Sequence, residues 1–466
     1  MREGWVISCI GEIAHAHLGK MLDKNKNRGA FKPYLRNLNV RWFDFDLSDV
    51  LEMRFEDDER ERYTARKGDL LICEGGYPGR AAIWEDDEPI YFQKAIHRVR
   101  FYEPERAKWF LYYLYLCDID GSLRNHFTGV GIQHFTGEAL KRFRVPLPPV
   151  SEQQRIVAIL DEAFAGLATT TANAEKNLNS ARELFDSYLN SVFNQSKPLD
   201  FAHSSIARGV QQRSLEREVH RKSDPGSVTK TGGRAATTRH IAGKKSLCVG
   251  MPKLSAREGW GWRALDELAR METGHTPSRR HPEYWGGDVP WIGIRDAKSA
   301  HGREIFETLE NTNELGLENS SARLLPSQTV CLSRTASVGY VTIMGRPMAT
   351  SQDFVNWVCS DELYPQFLMY LFLAQGAEIF RFSSGAVHQT IYFPEAKAFH
   401  ICLPSNAMQR KIVTMLDAIR EQTERLEGVY HRKLANLAEA KQSILRKAFA
   451  GDLTSPPLQA VKEAAE

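Results

Sequence analysis

The sequence predicts an α+β chain: two similar modules of mixed α/β structure, each followed by a long α-helix, the two helices pairing as an antiparallel coiled coil. Three observations predict it. The second half of the chain repeats the first at an offset of about 256 residues. Short apolar runs between glycine-rich turns fill the front of each half. A sustained seam of apolar residues at alternating spacings of three and four fills the back of each half.

The repeat is clearest where the modules end. At an offset of 256, Gly129, Leu147, Pro148, Gln153, Ile156, Val157, Leu160 and Asp161 fall on Gly385, Leu403, Pro404, Gln409, Ile412, Val413, Leu416 and Asp417. The register continues through Ser187, Leu189 and Phe193 onto Ser443, Leu445 and Phe449. The fronts match with small drifts, as loop insertions on a common fold require. Glu12, Ile13, Ala14 and Gly19 align with Glu267, Leu268, Ala269 and Gly274; Pro33-Tyr34-Leu35 aligns with Pro290-Trp291-Ile292. Glu74 to Gly79 aligns with Arg334 to Gly339, and Gln93 with Gln352.

Within the modules, Asp69–Cys73, Ala81–Trp84, Thr329–Leu332 and Tyr340–Met344 read as short strands, and Trp109–Asp118 and Gln366–Ala374 as buried helices. Pro148-Pro149-Val150 stops the first module, and Ser151 is the expected N-cap of the first long helix. Its seam runs Leu160, Phe164, Leu167, Thr171, Ala174, Leu178, Ala181, Phe185, Tyr188, Val192. The second seam runs Ile412, Leu416, Ile419, Thr423, Leu426, Tyr430, Leu434, Leu437, Lys441, Ile444, Ala448, with one doubled four-step that locally unwinds a supercoil. A helix of about 44 residues is roughly 65 Å long and cannot bury such a seam alone. The predicted organisation is therefore a first module at 1–150, a helix at 151–195, a basic flexible linker at 196–256, a second module at 257–404, a helix at 405–455 and a tail at 456–466.

Charge sits unevenly. The net charge is +3, yet Ser196–Arg257 carries 13 lysines and arginines against 4 acids, a local +9 that leaves −6 elsewhere. This stretch, rich in Ser, Thr and Gly, reads as a solvated linker able to touch phosphates. The longest apolar runs, Trp109–Cys117 and Phe367–Ala374, fall short of the ~20 residues that span a bilayer. The first residues lack a secretory pattern, and seven cysteines without a CxxC pair fit a reducing compartment, so the expected location is cytoplasmic.

Catalytic and cofactor motifs are not found. Phe127-Thr-Gly-Val-Gly131 has the glycine turn of an S-adenosylmethionine loop, but the matched second copy lacks it and no [DN]PP[YF] follows. The chain has no GxxxxGK[ST] phosphate loop, no HExxH and no GxSxG. His15 and His17 share a strand face, but two ligands make no metal site. The expectation is a non-enzymatic protein without cofactor or metal. Two such modules on rigid helices suit a two-part reader of a duplex, with Arg, Lys, Gln and aromatic side chains on loops between strands reaching base edges. A self-contained S-adenosylmethionine-dependent DNA methyltransferase and a non-specific coiled-coil scaffold are the competing possibilities. The first would require the missing motif, and the second leaves the modules unexplained.

The pattern resembles the DNA-specificity subunits of type I restriction-modification systems. The resemblance is carried by VPLPPVSEQQRIVAILD (Val145–Asp161), its copy ICLPSNAMQRKIVTMLD (Ile401–Asp417), and SILRKAFAGDLT (Ser443–Thr454). It is carried also by GKMLDKNKNRGAFKPYLRNLNV, GDLLICEGGYPGRAAIW and GHTPSRRHPEYWGGDVPWIGIRD. The resemblance implies that each module is a target-recognition domain reading half of a bipartite, asymmetric site in double-stranded DNA. It implies that the helices set the gap and dock two methyltransferase (modification) subunits, with a restriction subunit added where present. By resemblance and position, the expected DNA-binding residues are Tyr77, Arg80, Gln93, Lys94 and Gln133 in the first domain. In the second they are Arg334, Tyr340, Ser351, Gln352 and Gln389. Two departures stand out: the long basic linker, and Asn406-Ala-Met408 where the first helix carries Glu152 at the position matching Met408.

Overall fold

The computed structural model describes residues 4–23, 25–193, 238–241, 244–250, 256–385 and 389–454. The chain forms two compact units, Met1–Lys176 with Tyr430–Glu466, and Asn177–Val429. It is α+β, with mixed sheets and long helices.

In the first unit, an antiparallel sheet runs in the order Ala14–Leu18, Ile96–Phe101, Leu70–Cys73, Ala81–Ile83. Its third strand, LLIC, is wholly buried, which explains a continuous apolar run in place of an alternating one. The Arg106–Ile119 helix packs here and buries residues on nearly every side, including Trp109, Phe110, Leu111, Tyr112 and Leu114. The same core takes in Ile156 and Leu160 from the start of the first long helix, and Leu445 and Ala448 from the end of the second. A second sheet places Ala30–Leu35 between Leu51–Phe55 and Ile90–Phe92, with Thr64–Ala65 at its edge.

The second unit repeats this plan. Its main sheet runs Ala269–Thr273, Phe354–Cys359, Val330–Ser333, Val341–Met344, then gains a fifth strand, Glu304–Ile305. The Pro365–Gln375 helix takes the place of Arg106–Ile119. Its core draws Leu189 and Val192 from the end of the first long helix and Ile412, Val413 and Leu416 from the start of the second. The repeat holds at the level of register. Tyr34 and Leu35 pair in parallel with Tyr91 and Phe92; their counterparts Trp291 and Ile292 pair with Ala349 and Thr350.

The long helices span Val150–Phe193 and Asn406–Ala450. Every residue of the two expected seams is buried or half-buried. Ser151 is not the N-cap. The helix starts one residue earlier, because the N–H groups of Glu152 and Gln153 already bond the Pro149 carbonyl. Strands Thr238–Ile241 and Lys244–Val249 fall inside the stretch expected to be linker, and the latter pairs in parallel with Phe399–Leu403. The rest of that stretch up to residue 255, apart from Gly250, and the expected tail at 456–466 lie outside the described residues.

Candidate nucleic-acid interface

Three loops converge at one end of the first module, and their backbones are bonded to one another. The loop after Leu70–Cys73 closes on itself: Cys73 N–H donates to the Arg80 carbonyl (2.8 Å) and Gly79 N–H to the Cys73 carbonyl (2.9 Å). Glu74 ties this loop to the other two. Its N–H donates to the Ala95 carbonyl (2.8 Å), beside Gln93 and Lys94, and its carbonyl accepts from Phe135 N–H (2.7 Å), beside Gln133. The third loop is pinched shut by paired bonds between Thr128 and His134 (2.9 and 2.8 Å). Gly129 enters it at φ 106°, where a side chain would also meet the Ile132 carbonyl.

The second module builds the same face. Ser333 N–H donates to the Tyr340 carbonyl (2.8 Å) and Gly339 N–H to the Ser333 carbonyl (3.0 Å). Arg334 bonds Asp353 (2.7 Å) and Ile391 (2.8 Å) through its backbone, and Ser384 and Thr390 pinch the third loop (2.9 and 3.0 Å). This wiring corrects one alignment. Gln93 N–H donates to the Leu35 carbonyl (3.0 Å), and it is Ser351 N–H that donates to the matching Ile292 carbonyl (3.0 Å). Ser351 therefore stands in the place of Gln93, and Gln352 in the place of Lys94.

The side chains divide. Tyr77 is exposed, and the Arg80 guanidinium lies 4.8 Å from its ring while donating to the Asn37 carbonyl (2.9 Å). Lys94 and Gln133 are exposed, and Gln93 is half-buried. In the second module Gln352 is exposed and accepts a hydrogen bond from the Thr276 hydroxyl. Gln389 is exposed, but its amide bonds the Gly385 carbonyl (2.8 Å) and the Ser383 hydroxyl (2.6 Å). Three expected residues make contacts within their own domain. Ser351 is 1% exposed, its hydroxyl donating to Asp353 (3.1 Å) and accepting from the Asp353 N–H (3.2 Å). Tyr340 packs on an internal apolar cluster and the His301 ring. Arg334 is half-buried over the Phe393 ring (4.2 Å), and burial lowers its pKa.

Other residues complete the face. Asn37 donates to the Gly75 carbonyl (3.0 Å) and accepts from Arg80, clamping the first loop. Gly19 and Gly274 lie so close to the Gln93 and Ser351 backbones that a Cβ would fall 2.4 and 2.0 Å from them. Arg279 lies 3.9 Å from the Trp285 ring and grips Glu310 through two bonds (2.6 and 2.7 Å), which hold that carboxyl below its ordinary range. Burial pushes the Cys73 thiol at the base of the first loop up to about 11, so it stays protonated. Among the described residues, no group of three or more His, Cys, Asp or Glu side chains is placed to hold a metal ion. No helix among them is long and apolar enough to cross a membrane. The exposed groups offer amide and cationic donors with an aromatic face, the chemistry that reads base edges and phosphates.

The fold and the doubled loop face define a class: a tandem pair of loop-presenting domains, each leading into a long helix. Residues 2–179 and 257–431 match the type I restriction modification DNA specificity domain, and the chain belongs to that family. Over 159 residues, 34% of this chain, it is 31% identical to the type I restriction enzyme MjaIX specificity subunit of Methanocaldococcus jannaschii. That match spans 37% of the relative's length. The fold is similar to a chain in a solved structure reported as "Structural basis underlying complex assembly and conformational transition of the type I R-M system". The TM-score is 0.70 at 18% identity, covering 97% of this chain and 99% of that one. It is also similar to the HsdS subunit from Thermoanaerobacter tengcongensis, with TM-score 0.53 at 19% identity, covering 97% and 98%.

Proposed function

We propose that this protein is the sequence-specific DNA-recognition subunit of a type I restriction-modification complex, each domain reading one half of a bipartite, asymmetric site. The observation that carries this is the duplicated loop face: one backbone wiring, presented twice, with different side chains on it. A scaffold gains nothing from such divergence, whereas a reader of two unlike half-sites requires it. Tyr77, Arg80, Gln93, Lys94 and Gln133 are our candidates on the first face, and Gln352 and Gln389 on the second.

We further propose that the two long helices pair as an antiparallel coiled coil that sets the gap between half-sites. Support comes from each unit separately. Lys441 lies over Phe164 (4.5 Å) in one, while Arg420 lies over Phe185 (5.0 Å) and Arg182 pairs with Glu427 (3.4 Å) in the other. We propose domain boundaries at 150, 195, 404 and 455, and a second domain that begins ahead of 256, because Lys244–Val249 already pairs with its Phe399–Leu403 strand. In this reading the chain acts by recognition alone, in the cytoplasm. Two methyltransferase subunits carry the S-adenosylmethionine chemistry, and a restriction subunit joins where present.

The test is adenine-methylation mapping of host DNA with and without this gene, its modification partner being supplied. Loss of methylation at a single two-part motif is the expected result. Unchanged methylation everywhere overturns the proposal.

A further inference from the structure

The repeat places unlike residues at two matched positions of the long helices. Phe164 and Arg420 are matched at the 256-residue offset, and so are Phe185 and Lys441. Each aromatic meets the other copy's cation. In the first unit the Lys441 ammonium lies 4.5 Å from the Phe164 ring, with Tyr115 at 4.8 Å and Phe43 at 5.7 Å completing an aromatic enclosure. In the second unit the Arg420 guanidinium lies 5.0 Å from Phe185 and 4.7 Å from Tyr370, and it donates to the Gly302 carbonyl. Exchanging the copies turns the contact 164–441 into 420–185, so the two contacts are one contact written twice with aromatic and cation transposed.

Transposition matters for the pairings the sequence could otherwise adopt. Because the copies share a fold and a seam, the first helix of one chain could pair with the first helix of another, and the second with the second. The first of these like-with-like pairings would set Phe164 against Phe185 and forfeit both cation–aromatic contacts. The second would set Arg420 against Lys441, two cations in a site that already draws one away from water. Burial lowers the Lys441 pKa, so a second charge there is strongly disfavoured. Unlike pairing alone satisfies both positions.

We propose that Phe164, Phe185, Arg420 and Lys441 form a pairing code that commits each repeat to its unlike partner and excludes like-with-like association with a second copy of this chain. The inference rests on the helix pairing proposed above. It is the logic by which charged positions fix partner choice in coiled coils, transferred here to cation–aromatic contacts.

The test uses three full-length chains. The double exchange Phe164→Lys/Lys441→Phe keeps both intrachain contacts but makes like-with-like pairing equally favourable. In such a dimer the lysine introduced at position 164 would face Phe185, and Arg420 would face the phenylalanine introduced at position 441. Adding Phe185→Arg/Arg420→Phe restores the code in reverse. Each chain is unfolded, refolded at high concentration, and its dimer fraction measured by light scattering. The double exchange is expected to give about fivefold more dimer than the native chain, with the fourfold exchange returning to the native level. A dimer formed by swapping unlike helices keeps native contacts in all three chains and adds equally to each. Equal dimer fractions in all three overturn the code.

The thermal midpoint of Phe164→Lys reads the pairing itself. It is expected to fall by several degrees and to recover by at least half when Lys441→Phe is added. Failure to recover overturns the helix pairing, a result distinct from recovery with equal dimer fractions.

Discussion

In the first module the loop after Leu70–Cys73 carries an exposed Tyr77 stacked on Arg80; in the second, the matched loop turns Tyr340 inward and lays Arg334 over Phe393. Beneath these differences the backbone bonds that frame the loops coincide, while the turns inside them differ, Arg80 N–H donating to the Tyr77 carbonyl in one and Ser337 N–H to the Thr335 carbonyl in the other. Cys73 to Arg80 corresponds to Ser333 to Tyr340, and Glu74 bonded to Ala95 and Phe135 corresponds to Arg334 bonded to Asp353 and Ile391. The supports coincide as well. Tyr112 donates to Asp161 (2.7 Å) and Tyr370 to Asp417, each fastening a module helix to the long helix that follows it. The lesson is a division of labour. Backbone hydrogen bonds and a few buried polar side chains hold the frame, and the side chains on the loops are free to differ.

The largest expected effect tests the frame where two backbones touch. A Cβ at Gly274 would sit 2.0 Å from the Ser351 carbonyl oxygen, and one at Gly19 would sit 2.4 Å from Gln93 backbone atoms. Neither neighbour can rotate away, since both are main chain inside a bonded turn. Gly274→Ala is expected to cost about 3 kcal/mol and Gly19→Ala about 2 kcal/mol, measured by urea unfolding of the full chain. Each substitution should also weaken recognition of one half-site only. Equal loss at both half-sites from either substitution would break the picture of two independent faces.

A smaller effect sharpens the comparison at the helix starts. The Gln409 amide accepts from Tyr364 N–H (2.9 Å) and donates to the carbonyls of Glu362 and Pro404 (3.0 Å each). Gln153, its counterpart, donates to the Pro148 carbonyl (2.7 Å), while its buried oxygen has no hydrogen-bond partner. Gln409→Ala should therefore cost about 2 kcal/mol and Gln153→Ala about 1 kcal/mol. The departure at the second helix start has a structural counterpart, because Asn406 bonds the Asp361 carbonyl (2.7 Å) and accepts from Arg410 (2.9 Å). If the two glutamines prove equal, those extra bonds carry no weight.

Much of this frame was legible in the sequence, for a physical reason. Leu147-Pro148, Gln153, Ile156, Leu160 and Asp161 are repeated as a set because each has a fixed partner. The seams were legible because one-sided burial imposes a period. What escaped was set by contacts distant in sequence. Asn37 clamps a loop 38 residues away through Gly75. Lys244–Val249 becomes a strand through pairing with Phe399–Leu403, over 150 residues on. Matching Gln93 to Gln352 by residue type missed the true counterpart by one position, because the backbone bond to Leu35 or Ile292 defines the place and the side chain does not.

The subtlest difference between the modules lies under the third loop. His97, in the Ile96–Phe101 strand, is buried with Nε2 2.9 Å from the Phe135 carbonyl, next to the pinched Thr128–His134 loop. At the same strand position the second module has Val355. Burial pushes the His97 pKa below 6.5, only partly opposed by the Phe135 hydrogen bond. The unfolded chain then binds a proton more readily than the folded one between the two values. The His97 contribution is complete above pH 6.5 and is lost progressively as pH falls below it. Burial lowers His17 in the first module and His301 in the second as well, so the effect must be separated by replacing one histidine at a time. His97→Gln should flatten the fall in first-module stability between pH 7.5 and about 5.5, and His301→Gln should leave that fall in place. The urea midpoint at the two pH values reads both. If His97→Gln falls as steeply as the native chain, the loop anchor does not feel that proton, and the two modules are alike beneath their third loops as well.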